Sequence, residues 1–217
     1  MARPSLRHGI ALMLALAVVT LPAFGCRSVL TTAALLIWGT DVDPDFKDLK
    51  GKKVAVVCRP PATLQYRDSN AGRDLAQQVT LLLQQNVPKI KTIDQRKVAK
   101  WTDENTWEEY TQVGKAMAAD MVVGIDLESF SIFQGQTLYQ GKANATIKVF
   151  DCHSGKLVFD KSIPQSVYPP NAGIETSERT EPGFRHEFLL VLANQIARHF
   201  YAHDPYADLG QDSAALK

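Results

Sequence analysis

The sequence predicts an α/β domain of the α+β type, with helices packed on a mixed sheet of about five strands in the order β-α-β-α-β-β-β-α. Three observations support this prediction. The continuous apolar run Val54 to Cys58, followed by a helical pattern and a second short strand, is typical of a βαβ unit. Three strand-like segments between Met121 and Ile163 indicate an antiparallel meander. An apolar stripe along the last helix indicates that this helix closes the core.

The first 25 residues have the pattern of a secretory signal peptide. Arg3 and Arg7 precede an apolar run from Ile10 to Leu21, and the segment ends in small residues. This run is shorter than the roughly 20 apolar residues that cross a bilayer. We therefore expect an exported protein, and an uncleaved signal anchor is the alternative to a cleaved signal peptide.

Gly25 and Cys26 resemble the cleavage step of a bacterial lipoprotein signal, where a peptidase cuts before a cysteine that carries lipid. The resemblance covers the first 26 residues, and Ala23 and Phe24 depart from its usual residues. It implies lipidation of Cys26 and a membrane tether through that lipid. Arg27 follows, and the absence of Asp there implies no retention at the inner membrane in a Gram-negative lipoprotein. The expected location is the outer membrane, with the domain facing the periplasm.

Residues 26–52 are predicted to be a lipid-anchored apolar segment and a linker. Val29 to Trp38 is apolar but too short to span a bilayer, so it either lies along the lipid interface or packs on the domain. Asp41 to Lys52 is predicted to be a polar, charged linker between the anchor and the domain. Residues 53–203 are predicted to form one domain, and residues 204–217 a flexible tail.

The elements inside the domain follow from hydrophobic spacing and from helix start and stop residues. Val54 to Cys58 is predicted to be a buried strand, and a helix is predicted from Asn70 to Gln85, before Pro88. The remaining predicted elements are a short strand at Lys89 to Ile93, a short helix or turn at Asp94 to Trp101, a helix at Thr106 to Ala119, and strands at Met121 to Phe133, Lys142 to Phe150 and Lys156 to Ile163.

A long loop with four prolines is predicted from Pro164 to Gly183, before a last helix from Phe184 to Ala202. Loops of this length without secondary structure are often functional. Proline-rich segments also lose less entropy on binding. Tyr168, Pro169 and Pro170 are therefore candidate contacts with a partner.

Three segments resemble the periplasmic domain of the CsgG-type curli-secretion lipoproteins and of the LpoB-type activators of penicillin-binding proteins. The segments are the lead strand Lys53 to Val57, the helix-to-strand junction Ala119 to Gly124, and the hairpin of Ile147 to Asp151 and Ser154 to Phe159. The same layout recurs in N-terminal domains of TolB type. The resemblance covers about residues 53–163. It implies an envelope lipoprotein that acts by binding and has no catalytic residue at these positions.

The sequence contains no readable catalytic, cofactor or metal site. His186 and Glu187 form half of a zinc-protease helix motif, but Leu190 stands where the second histidine is required. His199 and His203 are four residues apart and have the spacing to share a metal, yet the sequence identifies no third ligand. Phosphate-loop and nucleophile-elbow motifs are also missing from the sequence. We therefore expect no enzyme activity, no cofactor and no metal.

With Cys26 assigned to the lipid, Cys58 and Cys152 are the two remaining cysteines, and an exported protein places them in an oxidising compartment. Two alternatives are open at this point. The pair forms a disulfide, or the two residues are buried thiols at the ends of strands.

The aromatic residues Trp101, Trp107 and Tyr110 lie close together in the sequence. Exposed aromatic side chains favour interfaces, so the three are candidate partner-binding residues. The alternative is that they belong to the core.

The charge balance argues against nucleic acid as a partner. Removal of Arg3 and Arg7 with the first 25 residues changes 24 basic and 23 acidic side chains to 22 and 23. The predicted function is that of a membrane-tethered periplasmic lipoprotein, a non-enzymatic accessory in envelope assembly or secretion that binds another envelope protein. The alternatives are a subunit of an oligomeric secretion ring, and a hydrolase or metal enzyme with an unrecognised site.

Overall fold

The computed structural model of the protein describes residues 41–61 and 70–205. The predicted signal peptide, the lipidation residue Cys26, the segment Val29 to Trp38 and most of the predicted tail lie outside the described residues. Contacts divide the chain into residues 1–41 and 42–217, and the fold below belongs to the second unit. In the part that the structure describes, none of the helices combines the length and the apolar character needed to cross a membrane.

Strands and helices alternate in the first half of the domain, and strands dominate the second half. The strands are β1 (Lys53–Arg59), β2 (Lys91–Thr92), β3 (Met121–Gln134), β4 (Leu138–Asp151), β5 (Leu157–Tyr168) and β6 (Ile174–Glu175). The helices are α1 (Ala71–Asn86), α2 (Gln95–Glu104), α3 (Tyr110–Ala116) and α4 (Glu181–Ala197), and α4 continues into a 3-10 turn, Arg198–Phe200.

The six strands form one mixed sheet in the order β2-β1-β3-β4-β5, and β6 pairs with β4. β1 lies parallel to β2 and β3, whereas β3, β4 and β5 form the antiparallel meander. The predicted fold class is confirmed. The strand count is higher than predicted because β6 adds a two-residue strand. Two helices, α2 and α3, lie between β2 and β3, where the predicted element order has one.

The sheet buries apolar residues on both faces. In β1, Val54 and Val56 face the large core, which α1 and α4 cover, whereas Ala55 and Val57 face the small core, which α2 and α3 cover. This two-sided burial explains why β1 is a continuous apolar run and does not alternate in polarity.

The domain begins earlier than predicted. Residues Val42–Leu49, here named the N-terminal strap, are packed on the domain and do not form a linker. Phe46 and Leu49 are buried in the large core. Val42 and His203 exchange two backbone hydrogen bonds, and the amide of Phe46 donates to the carbonyl of His199. Burial of the Phe46 and Leu49 side chains, which lie among four charged residues, is the physical reason that this segment packs on the domain.

The predicted long loop is largely ordered structure. β5 continues through Pro164 to Tyr168, and α4 already begins at Glu181. Pro182 lies in the first turn of α4, where proline is tolerated because its missing N–H would have no intrahelical partner. The Thr180 hydroxyl caps the helix by accepting from the amide of Gly183 at 3.3 Å.

Candidate functional site

A concave surface lined by charged side chains lies beside the end of β1, on the small-core side of the sheet. We name this surface the Arg59 cleft. It is a cleft of about 300 Å³. The residues that line it are Arg59, Glu108, Glu109, Tyr110, Thr111, Asp126, Lys148, Phe150 and Gly155.

Arg59 is the last residue of β1 and lies on the same face as Ala55 and Val57, because side chains alternate along a strand. Its guanidinium carbon is 4.8 Å from the ring centre of Trp107 and 4.7 Å from that of Tyr110. The guanidinium also donates to the carbonyl of Glu108. Cation–π contacts on two rings hold the Arg59 side chain in one orientation.

Asp126 joins the three elements that meet in the cleft. Arg59 of β1 lies opposite Asp126 of β3, with 3.7 Å between guanidinium and carboxylate. The Tyr110 hydroxyl of α3 donates to Asp126 Oδ1 at 2.6 Å, and Lys148 Nζ of β4 donates to Oδ2 at 2.9 Å. A carboxylate with these partners is strongly favoured in its ionised form.

The electrostatics of the cleft fix the protonation of its groups. Burial raises the pKa of the Asp126 carboxyl, but the hydrogen bonds from Tyr110 and Lys148 and the charges of Lys148 and Arg59 outweigh burial and hold that pKa below its ordinary value. Burial, the hydrogen bond to Asp126 and its charge raise the pKa of Tyr110 well above the ordinary value for a phenol. Tyr110 therefore keeps its proton and donates a hydrogen bond to Asp126.

The two cysteines are free thiols on opposite faces of the sheet, which disagrees with the disulfide alternative; Cys152 is buried and Cys58 is half-buried. Cys58 packs against the large core, near Gly72 of α1, whereas Cys152 belongs to the small core, near Gly114 of α3. Burial raises the pKa of both thiols, that of Cys152 to about 11. Neither thiol is activated as a nucleophile.

Of the three predicted aromatic residues, Tyr110 lines the cleft, Trp107 contacts Arg59 and Tyr110 beside it, and Trp101 does neither. The rings of Trp107 and Tyr110 are 5.6 Å apart, and Tyr110 is buried in the small core. Trp101 packs, half-buried, against the same core. Tyr110 therefore belongs to the core, Trp101 and Trp107 are half-buried against it, and the rings of Trp107 and Tyr110 support Arg59.

Tyr168, Pro169 and Pro170 lie elsewhere, beyond the end of β5. Tyr168 is buried and its ring lies 6.0 Å from that of Phe184. The Gln140 side chain donates to the carbonyl of Pro169 at 3.1 Å, and Pro170 is exposed. Only the two prolines of this predicted contact are therefore accessible.

The histidines that the sequence singled out have other partners. His199 Nδ1 is 2.7 Å from Asp45 of the N-terminal strap, and Lys161 also reaches that carboxylate at 3.2 Å. His203 pairs with the strap through its backbone. Within residues 41–61 and 70–205, no group of three His, Cys, Asp or Glu side chains is arranged to hold a metal ion. His186 is exposed on the first half of α4.

Arg59, Asp126 and Lys148 are the cleft residues that the sequence did not single out. One signal was available, since an arginine that directly ends a buried strand lies where the sheet meets solvent. The pairing of Arg59 with Asp126 depends on the β1–β3 register, which is set by residues 67 positions apart in the chain. Local spacing carries no information on that register.

Comparison with known proteins yields fold-level likenesses at low identity. No family model and no curated protein matches the chain. The PelC dodecamer from Paraburkholderia phytofirmans is 12% identical, with 74% of this chain and 95% of that chain covered and a TM-score of 0.47. Lipoprotein GNA1162 from Neisseria meningitidis is 15% identical, with 67% and 97% covered and a TM-score of 0.42.

The LpoB C-terminal domain from Salmonella enterica is 8% identical, with 54% of this chain and 82% of that chain covered and a TM-score of 0.37. The similar structures thus include bacterial lipoproteins of the cell envelope. With TM-scores below 0.5, these likenesses assign no family and no function to this chain.

Proposed function

We propose that this protein is an exported, membrane-tethered accessory protein of the bacterial cell envelope, and that it acts by binding another envelope component without catalysis. The observation that carries the proposal is the Arg59 cleft. It is a preformed concave surface with oriented charged donors and with no activated nucleophile.

The geometry of the cleft supports binding because its side chains are already ordered. The Arg59 guanidinium lies over the rings of Trp107 and Tyr110, and Lys148 is held by Asp126. A partner that contacts them therefore loses less side-chain entropy than it would by ordering two free cationic side chains. Both heads remain accessible, since the side chains of Arg59 and Lys148 are 42% and 33% exposed.

The tether is tested by the intact mass of the protein extracted from its native host, alongside a Cys26→Ala variant. Lipidation predicts a mature chain that starts at Cys26 and carries acyl groups, and the variant loses that mass. A wild-type chain that retains Met1 contradicts the lipoprotein part of the proposal.

Binding through the cleft is tested by affinity capture of the full chain after cross-linking in its native host. Arg59→Gln and Lys148→Met are each expected to remove a captured component that the wild type retains. Lys142→Met is the matched control, because Lys142 lies on the same strand and face as Lys148 but outside the cleft. Equal capture by the wild type and both cleft variants contradicts the proposal.

A further inference from the structure

The inference that follows rests on the proposed function and concerns the chemistry of the group that enters the Arg59 cleft. Two cations, Arg59 and Lys148, share one carboxylate, that of Asp126. With Glu108 and Glu109 included, the charged residues that line the cleft sum to one negative charge, whereas Arg59, Lys148 and Asp126 alone carry one excess positive charge. An anionic group next to Arg59 and Lys148 is favoured because it balances that charge.

The two cations also have donors that the protein does not use. Arg59 has five N–H groups, and the structure gives it the Glu108 carbonyl and the Asp126 carboxylate as partners. Lys148 has three N–H groups and contacts Asp126 with one. A planar carboxylate suits these donors, since arginine binds carboxylates through two parallel hydrogen bonds.

Acidic side chains on the α3 side of the cleft limit how much negative charge can enter. The Glu109 carboxylate caps α3 and accepts from the Thr111 hydroxyl at 3.1 Å, whereas the Glu108 side chain is exposed at the rim. A ligand with several negative charges meets repulsion from these two residues. A single carboxylate that reaches Arg59 and Lys148 from the β4 side avoids most of it.

An apolar surface lies directly beside the two cations. Phe150 of β4 lines the cleft, and Leu157 of the neighbouring strand β5 is its register partner. Leu157 and its neighbour Val158 are 47% and 44% exposed, which is unusual for large apolar residues of this domain. A ligand with an apolar group next to its carboxylate can therefore contact the cations and the apolar residues at the same time.

We propose that the Arg59 cleft binds the C-terminal carboxylate of a peptide that ends in an apolar residue. Arg59 and Lys148 bind the carboxylate, and the last side chain packs on Phe150 and Leu157. A C-terminal residue carries its carboxylate and its side chain on the same carbon atom, as the adjacency of the cations and the apolar pair requires.

The test is fluorescence anisotropy of a fluorescein-labelled alanyl-alanyl-leucine peptide with the detergent-extracted full chain. Saturable binding is expected, and amidation of the C-terminus is expected to weaken it at least tenfold. Arg59→Gln and Lys148→Met are each expected to weaken it at least fivefold, whereas Lys142→Met leaves it unchanged. Glu108→Gln is expected to tighten binding about twofold, because one negative charge leaves the rim.

Three results overturn the inference. They are the absence of saturable binding, equal binding of the amidated peptide, and equal binding of an amidated peptide whose carboxylate is an aspartate side chain. One of these peptide results can be found although Arg59→Gln still loses its partner in the capture experiment. In that case the proposed function stands, and the proposal that the cleft binds a C-terminal carboxylate is wrong. If cleft variants lose neither peptide nor partner, both fail.

Discussion

Asp126 is the single residue on which the cleft depends most, because it pairs with β1, α3 and β4 at once. Its side chain is only 22% exposed. Asp126→Asn removes the charge that holds Arg59 and Lys148 and is expected to lower the free energy of unfolding by about 1–3 kcal/mol at neutral pH. Urea unfolding of the variant measures this loss. Asp74→Asn is the control, because Asp74 is exposed on the surface of α1.

The pH dependence of that loss has a defined sign. The pKa of Asp126 in the folded protein is below its ordinary value of 3.8, so the stabilisation is present above that value and is lost as the pH falls through the lowered pKa. The stability difference between the wild type and Asp126→Asn should therefore shrink below pH 4. A difference that stays constant or grows as the pH falls contradicts the assigned role of the carboxylate.

Ser166 illustrates the opposite situation, a polar group that the fold does not satisfy. Its hydroxyl is buried in β5 and has no hydrogen-bond partner among the residues that the structure describes. Ser166→Ala is therefore expected to stabilise the domain by about 1 kcal/mol, measured by thermal or urea unfolding. Ser162→Ala is the matched control, since the Ser162 hydroxyl pairs with Thr146 at the surface. A destabilised Ser166→Ala variant would show that the hydroxyl has a partner.

At the scale of elements, α3 approaches the sheet so closely that one position in it excludes a side chain. A Cβ atom at Gly114 would lie 2.3 Å from Cys152 Sγ and 3.2 Å from Val122 Cβ. Gly114→Ala is therefore expected to cost about 1–3 kcal/mol of stability, although alanine is the better helix former. Cys152→Ala in the same chain should restore part of the loss.

Gly72 in α1 provides the control for this prediction. Its added Cβ would meet its nearest neighbour, Pro60 Cδ, at 3.4 Å, which is an ordinary contact. Gly72→Ala should then leave stability unchanged or raise it slightly. Equal effects of the two substitutions on urea midpoints would mean that the approach of Gly114 to Cys152 and Val122 is not tight.

The N-terminal strap is expected to contribute to stability as part of the core. Leu49 is completely buried, so Leu49→Ala should lower the free energy of unfolding by about 2–5 kcal/mol. Asp48→Ala, at the exposed neighbouring position, should change it little. If Leu49→Ala unfolds at the wild-type urea concentration, the segment is a linker after all.

Helices and strands with a strong hydrophobic period were predictable from sequence, whereas the segments and boundaries between them were not. β1, α1, the meander and α4 follow from runs and stripes such as Val54 to Cys58 and Phe184 to Phe200. The strap was missed because its two buried apolar residues, Phe46 and Leu49, stand among four charged ones in a segment of eight and give no period. The extension of β5 past Pro164 was missed because proline normally argues against a strand, and it is tolerated here on an edge strand.

At the scale of the whole domain, the edges of the sheet are poorly suited to adding a strand from a partner. The edge strand β5 contains Pro164 and pairs with β4 through two register shifts. β3 extends beyond the end of β1, and its two register shifts lie in that extension. Bulges and proline are common devices that protect sheet edges from other chains. The concave cleft on the small-core side is therefore the better candidate for specific contact.

The central claim is that a partner contacts the Arg59 cleft, and photo-cross-linking in the native host tests it most directly. A photoreactive residue replaces Glu108 at the cleft rim, and in a control chain it replaces exposed Asp74 on α1, on the opposite face. The account predicts a discrete cross-linked product from position 108 that disappears when Arg59→Gln is added and that position 74 does not form. A product that persists with Arg59→Gln, or one that forms equally from position 74, would contradict the claim.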